Sequence, residues 1–233
     1  MGIKNIFLTG GSGTLGSQLI LDSQNYGVSF ISPSSEECDI RSNWQVDNKI
    51  GNFEGDTVVH CAAFTDVKKA ERYPLLAAKI NVIGTFNILH ACVKYQKKLI
   101  YISTDYVFDG KKGNYKTSDA INPLSKYSKT KAAAELIVRT YDNSLVIRTS
   151  FYGKEFPYKK ALMDQWTSKD YVDIISPKVL QCIKKDELGI EHVGSPRRTV
   201  YEIAKERRED VEGMSMNEIN IKIPRDTSFE IEE

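Results

Sequence analysis

The sequence predicts an α/β protein: a doubly wound parallel sheet followed by a small C-terminal cap. Three observations carry that prediction. A short apolar run, Ile3 to Thr9, leads directly into the glycine-rich turn Gly10-Gly11-Ser12-Gly13-Thr14-Leu15-Gly16, and the turn leads into a helical pattern. Short β-branched runs then alternate with helical patterns as far as Thr149. Tyr127 and Lys131 stand four residues apart at the start of a helix, downstream of a strand that stops at Ser103-Thr104-Asp105.

At 233 residues the chain is long enough for one domain with an appendage or for two small ones. A formal charge of +1 gives no general attraction to nucleic acid or acidic membrane, and the dibasic pairs are scattered among acids. Cys38, Cys61, Cys92 and Cys182 lack C-x-x-C spacing, and three lie in apolar surroundings, as buried thiols of a reduced, cytoplasmic protein do. No metal site is expected. No apolar run of membrane-spanning length is expected, and a strand entered at Ile3 leaves no room for a signal peptide.

Taken in order, the first strand and its glycines have the context of a Rossmann-like dinucleotide site. Gly11, Gly13 and Gly16 fit G-x-G-x-x-G, while Gly10, Gly13 and Gly16 fit G-x-x-G-x-x-G. Such glycines give a tight turn, a bare backbone for a pyrophosphate and close helix-to-strand packing, with a helix amino terminus facing the negative charge. Thr14 to Asn25 reads as that helix. Val28 to Ser32 is the second strand, and it ends in Ser32-Pro33-Ser34-Ser35 where NAD-preferring sites place an acid. With no carboxylate there to repel a 2′-phosphate, NADPH is the expected cofactor and NADH is admissible; Ser32 and Ser34 are candidate donors. No arginine stands in the serine run. Asp39-Ile40, at a short third strand, is placed to bracket an adenine.

Thr57 to Cys61 is a fourth strand, with Cys61, Ala62 and Ala63 at its end leaving room for a cofactor. Pro74 opens a long helix to about Tyr95 that carries Asn81, a polar residue able to reach the Ser103/Thr104 strand end. His60 and His90 lack partners at metal spacing and read as structural. Leu99 to Ile102 is a buried strand, and Tyr127 to Tyr141 a helix on which the Lys131 ammonium shares a face with the Tyr127 phenol. A cation beside a phenol favours phenolate and makes the tyrosine usable as an acid or base near neutrality. Ser144 to Thr149 is a sixth strand. Beyond Phe151 the pattern loosens: Tyr158 to Ser168, Ser176 to Lys185 and Thr199 to Arg208 look helical, and Gly189 to Val193 looks like a strand. A boundary near Phe151 separates residues 1–150, an NAD(P)-binding unit, from 151–233, a small substrate-binding cap.

With these pieces in place the chain resembles the extended short-chain dehydrogenase/reductases, and within them the dTDP-4-dehydrorhamnose reductase family. The likeness rests on Ala62-Ala63-Phe64-Thr65-Asp66-Val67, Asn81-Val82-Ile83-Gly84-Thr85-Phe86-Asn87, Ser103-Thr104-Asp105-Tyr106-Val107-Phe108-Asp109-Gly110, Pro123-Leu124 with Tyr127 and Lys131, Arg148-Thr149-Ser150, and Pro224-Arg225-Asp226-Thr227-Ser228. It covers residues 1 to 150 well and the remainder in fragments.

The resemblance implies NAD(P)H-dependent reduction of a 4-keto group on a nucleotide-linked 6-deoxyhexose. Tyr127 would protonate the alkoxide, Lys131 would hold the nicotinamide ribose, and Thr104, rather than Ser103, would bond the carbonyl or phenol. Thr65 and Val67 would line the sugar pocket, with Asp105, Tyr106 and an aromatic residue at Phe151 or Tyr152 also on the substrate side. A nucleotide sugar is then the expected partner, and a homodimer is compatible.

Two departures stand out. Ser128 replaces a glycine usual after the tyrosine, and the stretch between Ser150 and Asp164 is shorter than the family pattern. A 4,6-dehydratase would need an acid pair after the threonine, where this chain has Asp105-Tyr106. A C4 epimerase, and a non-catalytic partner subunit such as the methionine adenosyltransferase regulatory subunit, are the alternatives.

Overall fold

The structure, a computed structural model, describes residues 4–219 and 222–231; Ile3 lies outside the described residues. Six parallel strands form the central sheet: β1 (Lys4–Thr9), β2 (Val28–Ile31), β3 (Thr57–His60), β4 (Lys98–Thr104), β5 (Ser144–Thr149) and β10 (Gly189–Val193), in the order β10-β5-β4-β3-β1-β2. The α-helices among the described residues are α1 (Thr14–Asp22), α2 (Asn43–Gly51), α3 (Val67–Arg72), α4 (Pro74–Ala78), α5 (Thr85–Lys94), α6 (Lys126–Val138), α7 (Val172–Lys185) and α8 (Val200–Lys205). The remaining strands, β6 (Phe151–Tyr152), β7 (Lys160–Leu162), β8 (Trp166–Thr167), β9 (Asp170–Tyr171), β11 (Arg198–Thr199) and β12 (Glu212–Met214), form three two-stranded pieces.

The period-two alternation of a strand sorts the core into two layers. Ile6, Leu8, Ile100, Ile102, Leu145 and Ile147 pack with Leu15, Leu19, Ile175 and Val179 of α1 and α7. Phe7, Leu99, Tyr101 and Val146 pack with Val46, Ile50, Ile88, Ala134 and Val138 of α2, α5 and α6. Both faces are covered, which is why the strands read as continuous apolar runs. The chain runs outward from β1 to β2 and then crosses back to β3, so the sheet switches direction between β1 and β3. Ligands of such sheets bind at that crevice, beyond the carboxyl ends of the strands.

Several local expectations change. Asp39-Ile40 lies in a turn and forms no strand: the Gln45 amide oxygen accepts from the Asp39 N–H at 2.7 Å just ahead of α2. The helix from Pro74 is interrupted by a π turn over Lys79–Gly84, and α6 stops at Val138. Pro74–Lys94 is long and apolar enough to cross a membrane by length and composition, contrary to the expectation of no such run; half of that stretch is buried against the rest of the protein. Residues 158–168 hold β7 and β8 where a helix was expected. Their partners, β12 and β11, come from more than 30 residues downstream, which no local pattern reveals. The Gly189–Val193 strand pairs with β5 at the edge of the central sheet, and α7 packs beside α1, so the chain returns to the sheet after residue 151.

Candidate active site

A cavity of about 2570 Å³ opens over the carboxyl ends of β1, β3, β4 and β5, and residues after 150 form its far wall. A single small-molecule pocket takes about 300–1,000 Å³, so this one has room for a cofactor and a substrate together. Every residue expected at the site lines it except Asn81.

The glycine loop forms one end. Gly10 has φ +76°, and a Cβ there would lie 2.6 Å from the Ala62 N atom, so only glycine fits between β1 and β3. A Cβ on Gly16 would strike the Gly10 carbonyl, while Gly13 caps α1 with its backbone and, among the described residues, no side chain caps that helix end. The first amide N–H groups of α1 are thereby left for an anion, with Ser12, Thr14 and Leu15 beside them. These features fit a dinucleotide pyrophosphate.

Ser32 and Ser34 line the next part of the wall, and Arg41 joins them. The guanidinium of Arg41 donates to both carboxylate oxygens of Asp39, from Nε at 2.9 and 3.0 Å and from NH2 at 2.6 Å. Asp39 is held below the usual carboxylate range first by that contact. Its carboxylate therefore serves an arginine, and Ile40 alone is left as an apolar face for a base. Arg41 was missed because the motif directs attention to the end of β2, and the intervening turn folds it back.

At the centre, β4 delivers Thr104 and α6 delivers Tyr127 and Lys131, all less than a tenth exposed. The start of α6 is fixed by a capping box: Ser125 Oγ accepts from the Ser128 N–H at 3.1 Å, and Ser128 Oγ accepts from the Ser125 N–H at 3.0 Å. The unusual Ser128 thus fixes the turn that carries Tyr127. Glu71 of α3 adds an acceptor for the Lys126 N–H at 2.7 Å.

Lys131 does not sit against the phenol as the i, i+4 spacing suggested. Its Nζ donates to the Ile102 carbonyl at 2.7 Å and lies 4.2 Å from the Tyr101 ring centroid, both on β4. Burial pushes the ammonium down to about 7, against the opposing pull of Cys61 and Glu135. Burial pushes the Tyr127 phenol up to about 12 and Asp105 adds to the rise, with the Thr104 hydroxyl within reach of the phenol. The phenol is therefore a proton donor at neutrality.

Ser103 and Asp105 line the cavity with their polar groups already engaged. Ser103 Oγ donates to Glu135 at 2.7 Å, and Glu135 pairs with the fully buried Arg148 at 2.7 Å, a bridge that pins the end of β4 to α6 and β5. Asp105 accepts from three threonine hydroxyls. Asn81 lies outside the cavity: in the π turn, its amide bonds the Phe64 N–H and carbonyl at 2.7 and 3.1 Å and Thr130 Oγ1 at 2.9 Å. It braces the loop after β3 against α6.

Thr65, Val67, Tyr106, Phe151 and Tyr152 line the other side, with two residues the sequence did not single out. Gln165 Nε2 donates to the Tyr106 hydroxyl at 3.3 Å, and Lys169 Nζ stands 4.6 Å from the Tyr152 ring centroid. Gln165 sits in the 158–168 stretch, whose helical look concealed it, and Lys169 directly follows that stretch. His60 is held between Thr9 and Thr85 hydroxyls at 2.7 and 3.0 Å, and burial pushes it down to about 3, a neutral structural imidazole.

The family model for the RmlD substrate binding domain matches residues 4–181. The chain belongs to that family. It is similar to the dTDP-4-dehydrorhamnose reductase of Aggregatibacter actinomycetemcomitans, 32% identical over 186 residues, which cover 76% of this chain. The match spans only 62% of that relative's length. The fold is similar to the crystal structure of dTDP-4-dehydrorhamnose reductase from Bacillus anthracis in complex with NADP, with TM-score 0.88, 27% identity, and coverage of 98% of this chain and 90% of that one. A bovine methionine adenosyltransferase 2 subunit beta is 29% identical over 86% of this chain and 70% of its own length.

Proposed function

We propose that this chain binds NADPH and uses it to reduce the 4-keto group of a nucleotide-diphospho-6-deoxyhexose, in line with its relatives named dTDP-4-dehydrorhamnose reductase. The observation that carries the reading is the meeting of Thr104, Tyr127 and Lys131 in the same cavity as the Gly10–Gly16 loop. Residues 1–150 supply the cofactor side, and residues after 150 join Thr65, Val67 and Tyr106 on the substrate side.

When bound, the nicotinamide supplies hydride. The protein's residues do the rest. The α1 amino terminus and bare glycines hold the pyrophosphate, while Ser32, Ser34 and Arg41 meet the 2′-phosphate. Lys131, buried beside Ile102, donates to the ribose hydroxyls. Tyr127, which keeps its proton at neutral pH, delivers it to the carbonyl oxygen as negative charge develops there. The walls of Tyr106, Phe151 and Tyr152 exclude water around the sugar.

The test is oxidation of NADPH, followed at 340 nm, with a panel of dTDP-, UDP- and GDP-linked 4-keto-6-deoxyhexoses. Turnover with at least one supports the reading; absence of turnover with all of them refutes it. A second reading, a cofactor-binding partner subunit, draws on the long match to the bovine methionine adenosyltransferase 2 subunit beta. Co-purification of a second protein, with no NADPH oxidation, would favour it.

A further inference from the structure

Asp105 follows Thr104 at the end of β4 and is 1% exposed. A carboxylate buried this deeply is costly unless its oxygens are hydrogen-bonded. Three hydroxyls do this: Thr104 donates to Oδ1 at 3.2 Å, and Thr167 and Thr227 donate to Oδ2 at 3.2 and 2.7 Å. An ionised carboxylate only accepts, so all three threonines are fixed as donors.

Two consequences follow. The single hydrogen of Thr104 is committed to Asp105, and the Tyr106 N–H donates to the Thr104 oxygen at 3.2 Å. Thr104 therefore meets the Tyr127 phenol with a lone pair, and the hydrogen that would stabilise a phenolate is withheld. The second consequence concerns Thr227, 122 residues further along the chain. It belongs to a strap, residues 224–229, bound by its backbone on both sides. The Trp166 N–H donates to the Arg225 carbonyl at 2.8 Å, the Thr227 N–H to Trp166 at 2.9 Å, and the Asp226 N–H to Gly110 at 3.1 Å. Asp105 is where this strap meets the catalytic strand.

We propose that Asp105 is a positioning residue: it sets the Thr104 hydroxyl as an acceptor beside Tyr127 and fastens the 224–229 strap to the end of β4. The inference rests on the reading of Tyr127 as proton donor. Around the phenol stand Asp105 from the turn after β4, Thr104 from its end, Tyr101 from within it, and Tyr106 packed alongside, while the Lys131 ammonium, one turn along α6, is turned to the Ile102 carbonyl. The Asp105 charge disfavours phenolate, so the proton stays on Tyr127 until a carbonyl oxygen develops charge.

Asp105→Asn keeps the size and removes the charge; Thr227→Val removes one hydroxyl, and Thr227→Ser restores it. In protein labelled with ¹³Cζ-tyrosine, the Tyr127 resonance, assigned through Tyr127→Phe, reads its titration without turnover. In Asp105→Asn its midpoint is expected to fall by about one pH unit. In Thr227→Val, amide exchange across 224–229 is expected to rise about tenfold and return to the wild-type rate in Thr227→Ser. With a 4-keto sugar, loss of the fixed Thr104 geometry should drop the kcat of Asp105→Asn about tenfold or more while the NADPH Kd stays unchanged. An unmoved Tyr127 titration, or unmoved exchange in Thr227→Val, overturns the inference. Shifts in both, in a protein that oxidises no NADPH, uphold the strap and the charge coupling and refute the reductase reading instead.

Discussion

In the sheet half, β4 buries every residue from Lys98 to Thr104 and β5 every residue from Ser144 to Thr149, whereas the strands after residue 150, β10 aside, are two or three residues long. The sheet half is held by two apolar layers that local pattern dictates. The cap has a smaller core around Phe156, Tyr171, Val200 and Ile203 and depends on long-range polar contacts. Asp164, for example, accepts from Ser215 Oγ at 2.9 Å and the Met216 N–H at 2.8 Å. The sheet half thus holds Thr104, Tyr127 and Lys131 rigidly, while the far wall of the cavity is carried by parts that change at little cost to the fold.

The sharpest way to break the sheet half is at its buried ion pair. Glu135→Leu leaves the Arg148 guanidinium unpaired at a site with no solvent, and chemical denaturation is expected to show a loss of about 3–5 kcal/mol. Ile203→Ala, at a fully buried cap position, is expected to cost about 2–4 kcal/mol. Its increased amide exchange should be concentrated in residues 198–214, with the central strands protected; equal loosening of β4 would erase the contrast between the halves.

Lys131 tests whether the site is held at a cost. Its pKa is depressed to about 7 from about 10.5 in the unfolded chain, so the native state binds fewer protons between those values. Stability from this group rises with pH across that window, and the cost of the buried ammonium is greatest below pH 7. Lys131→Met is therefore expected to raise Tm most at pH 6, with the gain shrinking toward pH 10, while cofactor binding weakens. A Tm gain independent of pH would contradict the assignment. The smallest effect is at the rim: Arg41→Ala should weaken NADPH about tenfold in a fluorescence titration and leave NADH unchanged.

The contrast also explains what could be read from the sequence. Thr104, Tyr127, Lys131 and the Gly10–Gly16 loop were legible because strand ends and helix starts position them through neighbours in the chain. Arg41 was not, because a turn brings it to the wall, and Asn81 was misplaced because a π turn aims its amide at Phe64 and Thr130. Lys131 shares a helical face with Tyr127 as expected, yet the Ile102 carbonyl claims its ammonium. The short strands β7 and β8 could not be seen without their distant partners β12 and β11.

The central claim is that Tyr127 is the proton donor of a keto-sugar reduction, and Tyr127→Phe tests it most directly because only the phenolic oxygen is lost. NADPH oxidation with the preferred 4-keto sugar nucleotide should fall by about 10²–10⁴-fold, with the NADPH Kd and Tm close to wild type. A Tyr127→Phe protein that turns over at the wild-type rate would contradict the account.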